Sequence, residues 1–80
     1  MEFMHSVIVI KVSDRRKNAK NILKILTGFG SIINTRVGFN KGDEEGIIIL
    51  NLEGGGQAIR EFKEKLSKEK GVEVKDISFD

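Results

Sequence analysis

Eighty residues with 14 Lys or Arg, 12 Asp or Glu and no cysteine leave room for one domain, since domains run from about 50 to 250 residues, and exclude a disulfide framework or a thiolate metal site. A formal net charge of +2 demands no polyanionic partner, and no apolar run approaches the roughly 18 residues that span a membrane. A chain this short buries only about 60% of the surface it exposes when unfolded, so self-association is the remaining way to enlarge its core.

The segment from Met1 to Ser6 lacks the basic stretch and apolar core of a secretory leader, and a cytoplasmic location is expected. Residues 1–80 read as a single domain, with 1–5 as a flexible N-terminal extension. Val7-Ile8-Val9-Ile10-Lys11-Val12 is β-branched and makes a first strand. Ser13 and Asp14 then offer N-cap side chains for a helix from about Arg15 to Phe29. Its apolar residues Ala19, Ile22, Leu23, Leu26 and Phe29 share one face at three- and four-residue spacing, and Gly30 supplies a C-cap.

A second strand from about Ser31 to Phe39 alternates Ile33, Thr35, Val37 and Phe39 with Asn34 and Arg36, as a half-buried edge strand would. The polar stretch Asn40 to Gly46 turns the chain into a third strand, Ile47-Ile48-Ile49-Leu50-Asn51-Leu52. Gly54, Gly55 and Gly56 break that strand in a flexible turn and lead into a helix with the stripe Ala58, Ile59, Phe62 and Leu66. Gly71 ends that helix, and Val72 to Phe79 form a fourth strand. The order β-α-β-β-α-β is the split βαβ, ferredoxin-like pattern of the α+β class. Right-handed crossovers place both helices on one face of a four-stranded antiparallel sheet, with the first and third strands central.

Those central strands are apolar on both sides. Ile8, Ile10 and Val12, with Ile48, Leu50 and Leu52, can face the helices, which leaves Val7, Val9, Ile47 and Ile49 on the opposite surface. Four β-branched side chains in one patch are seldom left in water on a monomer, and burying each contributes about 1.5–3 kcal/mol. They are the expected oligomer interface, with Lys11 and Asn51 at its rim.

Other features carry less chemistry. The glycine run matches no nucleotide-binding fingerprint, and the acidic loop Asp43, Glu44 and Glu45 lacks the spacing of a calcium site. One histidine, His5, and no recognisable nucleophile and base pair point away from catalysis, and neither cofactor nor metal is expected. The basic stripe Arg16, Lys17, Lys20 and Lys24 could follow a phosphate backbone, but the central strands lack the stacking aromatics of an RNA-binding sheet. Nucleic acid is therefore the alternative partner and not the expected one.

Several segments carry a resemblance: the first strand with Ser13-Asp14-Arg15, then Arg36-Val37-Gly38-Phe39, Ile47-Ile48-Ile49-Leu50, and Gly71-Val72-Glu73-Val74-Lys75. From about Ser6 to Phe79 the chain resembles the small ACT-like regulators of the iron-only hydrogenase system, related in fold to the regulatory domain of the nickel-responsive repressor. The resemblance implies an ACT-like fold, association through sheet faces or edges as a dimer or tetramer, and a regulatory role near hydrogenase maturation. It does not carry over amino-acid binding, because Ser13-Asp14-Arg15-Arg16-Lys17 stands where amino-acid-binding ACT domains place a glycine. Nor does it carry over nickel sensing, whose ligands have no counterparts here. The expected function is an oligomeric sensing module for a small effector or protein partner, with Asp14, Arg36, Gly54, Gly55 and Gly56 as candidate effector contacts at a cleft between subunits.

Overall fold

The computed structural model describes residues 3–42 and 44–79. The elements follow in the order β1 (Phe3–Val12), α1 (Arg15–Gly28), β2 (Ile33–Lys41), β3 (Glu45–Gly55), α2 (Gly56–Ser67) and β4 (Val72–Phe79). One antiparallel sheet has the strand order β2-β3-β1-β4, as the crossover rule requires. The core lies between the sheet and both helices: Ile8, Ile10, Val12, Leu50 and Leu52 from the sheet meet Ile22, Leu26, Ile59, Phe62 and Leu66 from the helices. The rings of Phe29 and Phe62 pack with centroids 5.1 Å apart and join the two helices, and Lys65 Nζ sits 5.7 Å from the Phe29 centroid.

The strands extend further than the hydrophobic pattern indicates. Phe3, Met4 and His5 pair with Gly55, Gly54 and Glu53, so residues 3–5 are strand and not a flexible extension; residues 1 and 2 lie outside the described residues. The same pairing corrects the glycine turn. Gly54 and Gly55 continue β3, and α2 begins at Gly56 with no intervening loop. Gly54 is required by a close approach, since a Cβ there would lie 2.7 Å from Ile32 Cγ2. Asn40 and Lys41 likewise pair with Gly46 and Glu45, which shortens the expected loop; Asp43 of the acidic cluster lies outside the described residues.

Both helix ends of α1 differ from expectation. Asp14 occupies the N-cap position but makes no side-chain cap, because its backbone is left-handed, at φ 51°, and side-chain capping needs an extended residue. The turn is held by its backbone instead. Ser13 N–H donates to the Gly71 carbonyl at 2.7 Å, Arg15 N–H to that of Glu44 at 2.8 Å, and Asn18 Nδ2 to that of Ser13 at 2.7 Å. At the other end Phe29 is the C-cap residue, its N–H bonded to the Leu26 carbonyl. Gly30 is not among the residues with positive φ, so the expected glycine cap gives way to successive tight turns.

Asp76 on β4 faces α2, where Lys63 Nζ donates to its Oδ2 at 2.9 Å. Ser78 Oγ donates to the same oxygen at 3.3 Å and hydrogen-bonds the buried Ser6 hydroxyl at 2.9 Å. The Lys63 hydrogen bond is the largest influence on Asp76 and lowers its pKa below the ordinary 3.8; burial opposes this, and the Lys63 charge and Ser78 reinforce it. A carboxyl with a depressed folded pKa adds stability above its unfolded pKa, and that stability is lost as pH falls through the folded value. Asp76→Asn is therefore expected to lower the urea midpoint near neutral pH and to match wild type more closely as pH falls well below the ordinary 3.8, as unfolding curves in both ranges would measure. Gly71, at φ +72°, leaves no space for a side chain: a Cβ would lie 3.1 Å from the Ser13 carbonyl oxygen and 2.4 Å from Asn18 Nδ2. Gly71→Ala is expected to cost about 1–3 kcal/mol in denaturant unfolding, whereas Gly28→Ala, with nothing within 4 Å, should be neutral or stabilising by up to about 1 kcal/mol.

Candidate functional site

The sheet surface opposite the helices carries all but Leu23 of the exposed large apolar side chains among the described residues. Val7 and Ile47 are half-buried there, and Val9 and Ile49, paired across β1 and β3, are more exposed. All four residues expected on this face are on it. The edge strands enlarge the patch. Between Ile33 and Thr35 the register of β2 against β3 shifts by one residue, and such a bulge exchanges the faces of the residues that follow. Ile33 packs against the core, while Thr35, Val37 and Phe39 stand opposite Asn51, Ile49 and Ile47 on the open side. On β4, Val72 and Val74 pack inward, but Ile77 and Phe79 stand opposite Val7 and His5. Phe3, Val37, Phe39, Ile77 and Phe79 each keep half or more of their surface exposed.

Read in register, the apolar residues form a diagonal band from Phe39 and Val37 on β2, through Ile47, Ile49, Val9 and Val7, to Ile77 and Phe79 on β4. Two polar corners flank it. One holds Lys11, ion-paired with Glu45 at 3.2 Å, together with Glu73 and Lys75, 4.0 Å apart. The other holds Thr35, Asn51 and Glu53, whose Oε1 accepts a 2.8 Å hydrogen bond from Asn34 Nδ2. His5 lies beside this second corner, with Nε2 bonded to Asn51 Oδ1 and its ring 5.8 Å from that of Phe79.

The bulge has a second consequence on the helix side. It turns Arg36, Gly38 and Asn40 toward α1, where an apolar strand would have supplied large side chains. A cleft of about 200 Å³ remains between α1 and the β2-β3 hairpin, walled by Ala19, Ile22, Leu23 and Ile48 and lined also by Gly38 and Gly46. Arg15 closes one end, its Cδ 3.2 Å from where a Gly46 Cβ would lie. Leu23, which the helical stripe assigns to the core, is half exposed above this cleft. No sequence signal marks it, because it arises from the register shift.

The five candidate effector residues are not brought together within one chain. Asp14 follows the end of β1 where Val12 pairs with Gly46, and Gly54 to Gly56 lie at the opposite end, where Phe3 pairs with Gly55. Nine residues of strand separate the two ends, about 30 Å. Arg36 lies between them, opposite Leu50, beside Leu23 and Leu26 of α1. The basic residues Arg16, Lys17, Lys20 and Lys24 are all exposed on α1, a helix that carries no acidic residue over 15–28. Among the described residues no cluster of three or more His, Cys, Asp or Glu could hold a metal ion, and no helix is long and apolar enough to cross a membrane.

Comparison with known proteins agrees with this architecture. The profile of the TM1266-like family, described as "Iron-only hydrogenase system regulator, putative", matches residues 5–76, and the chain belongs to that family. Among solved structures, the uncharacterized protein TM1266 from Thermotoga maritima is 30% identical, with 99% of this chain and 100% of that chain covered and a TM-score of 0.91. The ACT domain of a GTP pyrophosphokinase from Chlorobium tepidum shares the fold at 23% identity, covering 96% of this chain and 89% of that one, with a TM-score of 0.73. A PII-like signaling protein from Thermus thermophilus does so at 12% identity, covering 99% and 93%, with a TM-score of 0.54. No curated protein sequence matches the chain.

Proposed function

From membership in a regulator family, we propose that this chain is a non-catalytic, cytoplasmic sensing module that works as a homo-oligomer assembled through the open face of its sheet, and that it responds to a small effector or a protein partner in the iron-only hydrogenase system. The observation that carries the reading is the diagonal apolar band. Isolated apolar residues on a surface need no explanation, but a band continuous across all four strands is what a docking surface presents. The ACT-domain and PII-like signaling folds of the structural neighbours support a regulatory module, and the α1-β2 cleft is the space available in one chain for a small ligand. Val7, Val9, Ile47 and Ile49 are the central interface residues in this reading.

A second reading rests on the acid-free basic face of α1. In it the same module contacts a phosphate backbone through Arg16, Lys17, Lys20 and Lys24. Binding to mixed DNA or RNA would then weaken steeply with salt, because each neutralised phosphate releases condensed counterions. Titration of labelled duplex and single strands at low and moderate salt tests it, and lack of binding at low salt removes it.

For the leading reading, Ile49→Lys is expected to shift the sedimentation coefficient from that of an oligomer to that of a monomer at micromolar concentration. The far-ultraviolet spectrum should be unchanged, since Ile49 points away from the core beneath the helices. A wild-type monomer at that concentration would overturn the reading.

A further inference from the structure

The cleft beneath α1 combines an apolar floor with one uncompensated cation. Resting on the small-effector part of the reading above, we propose that the cleft between α1 and the β2-β3 hairpin binds a small aliphatic carboxylic acid without an α-amino group, its chain along Leu23 and Ile48 and its carboxylate on the Arg36 guanidinium.

Gly38 stands within β2 opposite Ile48, and glycine inside a strand commonly marks a bulge, a bend or the close approach of a backbone or a ligand. The bulge in β2 lies earlier, between Ile33 and Thr35, and Gly38 is not among the residues with positive φ. A Cβ there would meet only the Ile47 carbonyl oxygen, at an ordinary 4.0 Å. Neither its own backbone nor a neighbouring one therefore requires glycine at this position. Its effect is to leave space. The cleft of about 200 Å³ adjoins one of about 170 Å³, and both are walled by Leu23, Gly38 and Ile48. Leu23 is half exposed above them, and an apolar chain seated against it would remove that surface from water. Each part is smaller than the roughly 300–1,000 Å³ of drug-sized sites, which suits a chain of about six carbons.

Charge decides the head group. Residues 15–41 contain no Asp or Glu, and none lines either part of the cleft. The acids of β3 are elsewhere: Glu45 pairs with Lys11, and Glu53 accepts from Asn34, both on the open side of the sheet. The two arginines differ. Arg15 and Arg16 share a surface pocket with Asp14 and Glu44, so that end is close to neutral. Arg36 lines the second part of the cleft, about 13 Å along β2 from Asn40 at the Arg15 end, farther than the roughly 8 Å screening length at physiological salt. It makes no hydrogen bond or ion pair among the described residues. A guanidinium holds a carboxylate through two parallel hydrogen bonds. One arginine balances one negative charge, which favours a carboxylate over a doubly charged phosphate, and an α-ammonium would enter a site whose only charges are positive.

Heteronuclear NMR of the isotope-labelled full chain tests the site with hexanoate, hexanamide and norleucine. Hexanoate is expected to shift the amides of Leu23, Gly46 and Ile48 saturably, with hexanamide and norleucine weaker by about tenfold or more. Arg36→Gln should weaken hexanoate about tenfold or more at an unchanged urea midpoint. Gly38→Ile fills the cleft and should abolish binding while folding at least as stably, because isoleucine suits a strand better than glycine. Ile49→Lys should bind as wild type does, since the cleft lies on the other face of the sheet. Shifts that are absent, that fall on Val9, Ile49 and Ile77 instead, that persist undiminished in Arg36→Gln or Gly38→Ile, or that hexanamide or norleucine reproduces at equal concentration would overturn the site. An oligomeric wild type that does not bind hexanoate loses this site and keeps the assembly; a monomeric wild type that binds it loses the assembly and keeps the site.

Discussion

Two helices can cover only one face of a four-stranded sheet, yet the central pair β1 and β3 is apolar on both. Ile8, Ile10, Leu50 and Leu52 are fully buried beneath the helices, and that layer holds the fold together. On the reverse of the same strands, Val7, Val9, Ile47 and Ile49 are packed only by one another and by the edge strands. A layer of secondary structure left apolar on an open side is ordinarily completed by burial against another layer, which in the proposed assembly is a second copy of the chain.

The edge strands determine how far the unfilled surface extends. A one-residue bulge in β2 moves Val37 and Phe39 to the open face and Arg36 and Gly38 to the helix side. One irregularity therefore widens the exposed apolar face and opens the cleft beneath α1. On β4 the inward positions pass from Val72 and Val74 to Asp76 and Ser78, while the outward ones pass from Glu73 and Lys75 to Ile77 and Phe79. The exchange makes the apolar region diagonal, and it leaves a polar cluster where Asp76, Lys63, Ser78 and Ser6 satisfy one another.

The turns show a comparable division of labour. The β1-α1 turn has an αL aspartate and no side-chain cap, and its geometry is maintained by backbone hydrogen bonds to the Glu44 and Gly71 carbonyls. Three connections that are distant in sequence thus meet at one end of the sheet. Hydrogen bonds tie the hairpin and the turn before β4 to the start of α1, at the end of the adjoining cleft.

Much of this was legible in the residues alone. Local periodicity determined the order of elements, the helical stripe around Ile22 and Leu26, the inward set of the central strands and the four residues left over on their reverse, because each depends only on spacings of two or about 3.6 residues. The family resemblance was carried by short segments of the same kind. Strand ends, the face of Val37 and Phe39, the role of Gly54 and the separation of Asp14 from the glycine segment were decided only by tertiary structure. They depend on which residue lies opposite which, on Phe3 and Met4 finding Gly55 and Gly54, and on a one-residue slip in β2. Such pairings join positions far apart in the chain, and a single slip reverses every side chain beyond it, so local pattern predicts the strand without predicting the surface that it builds.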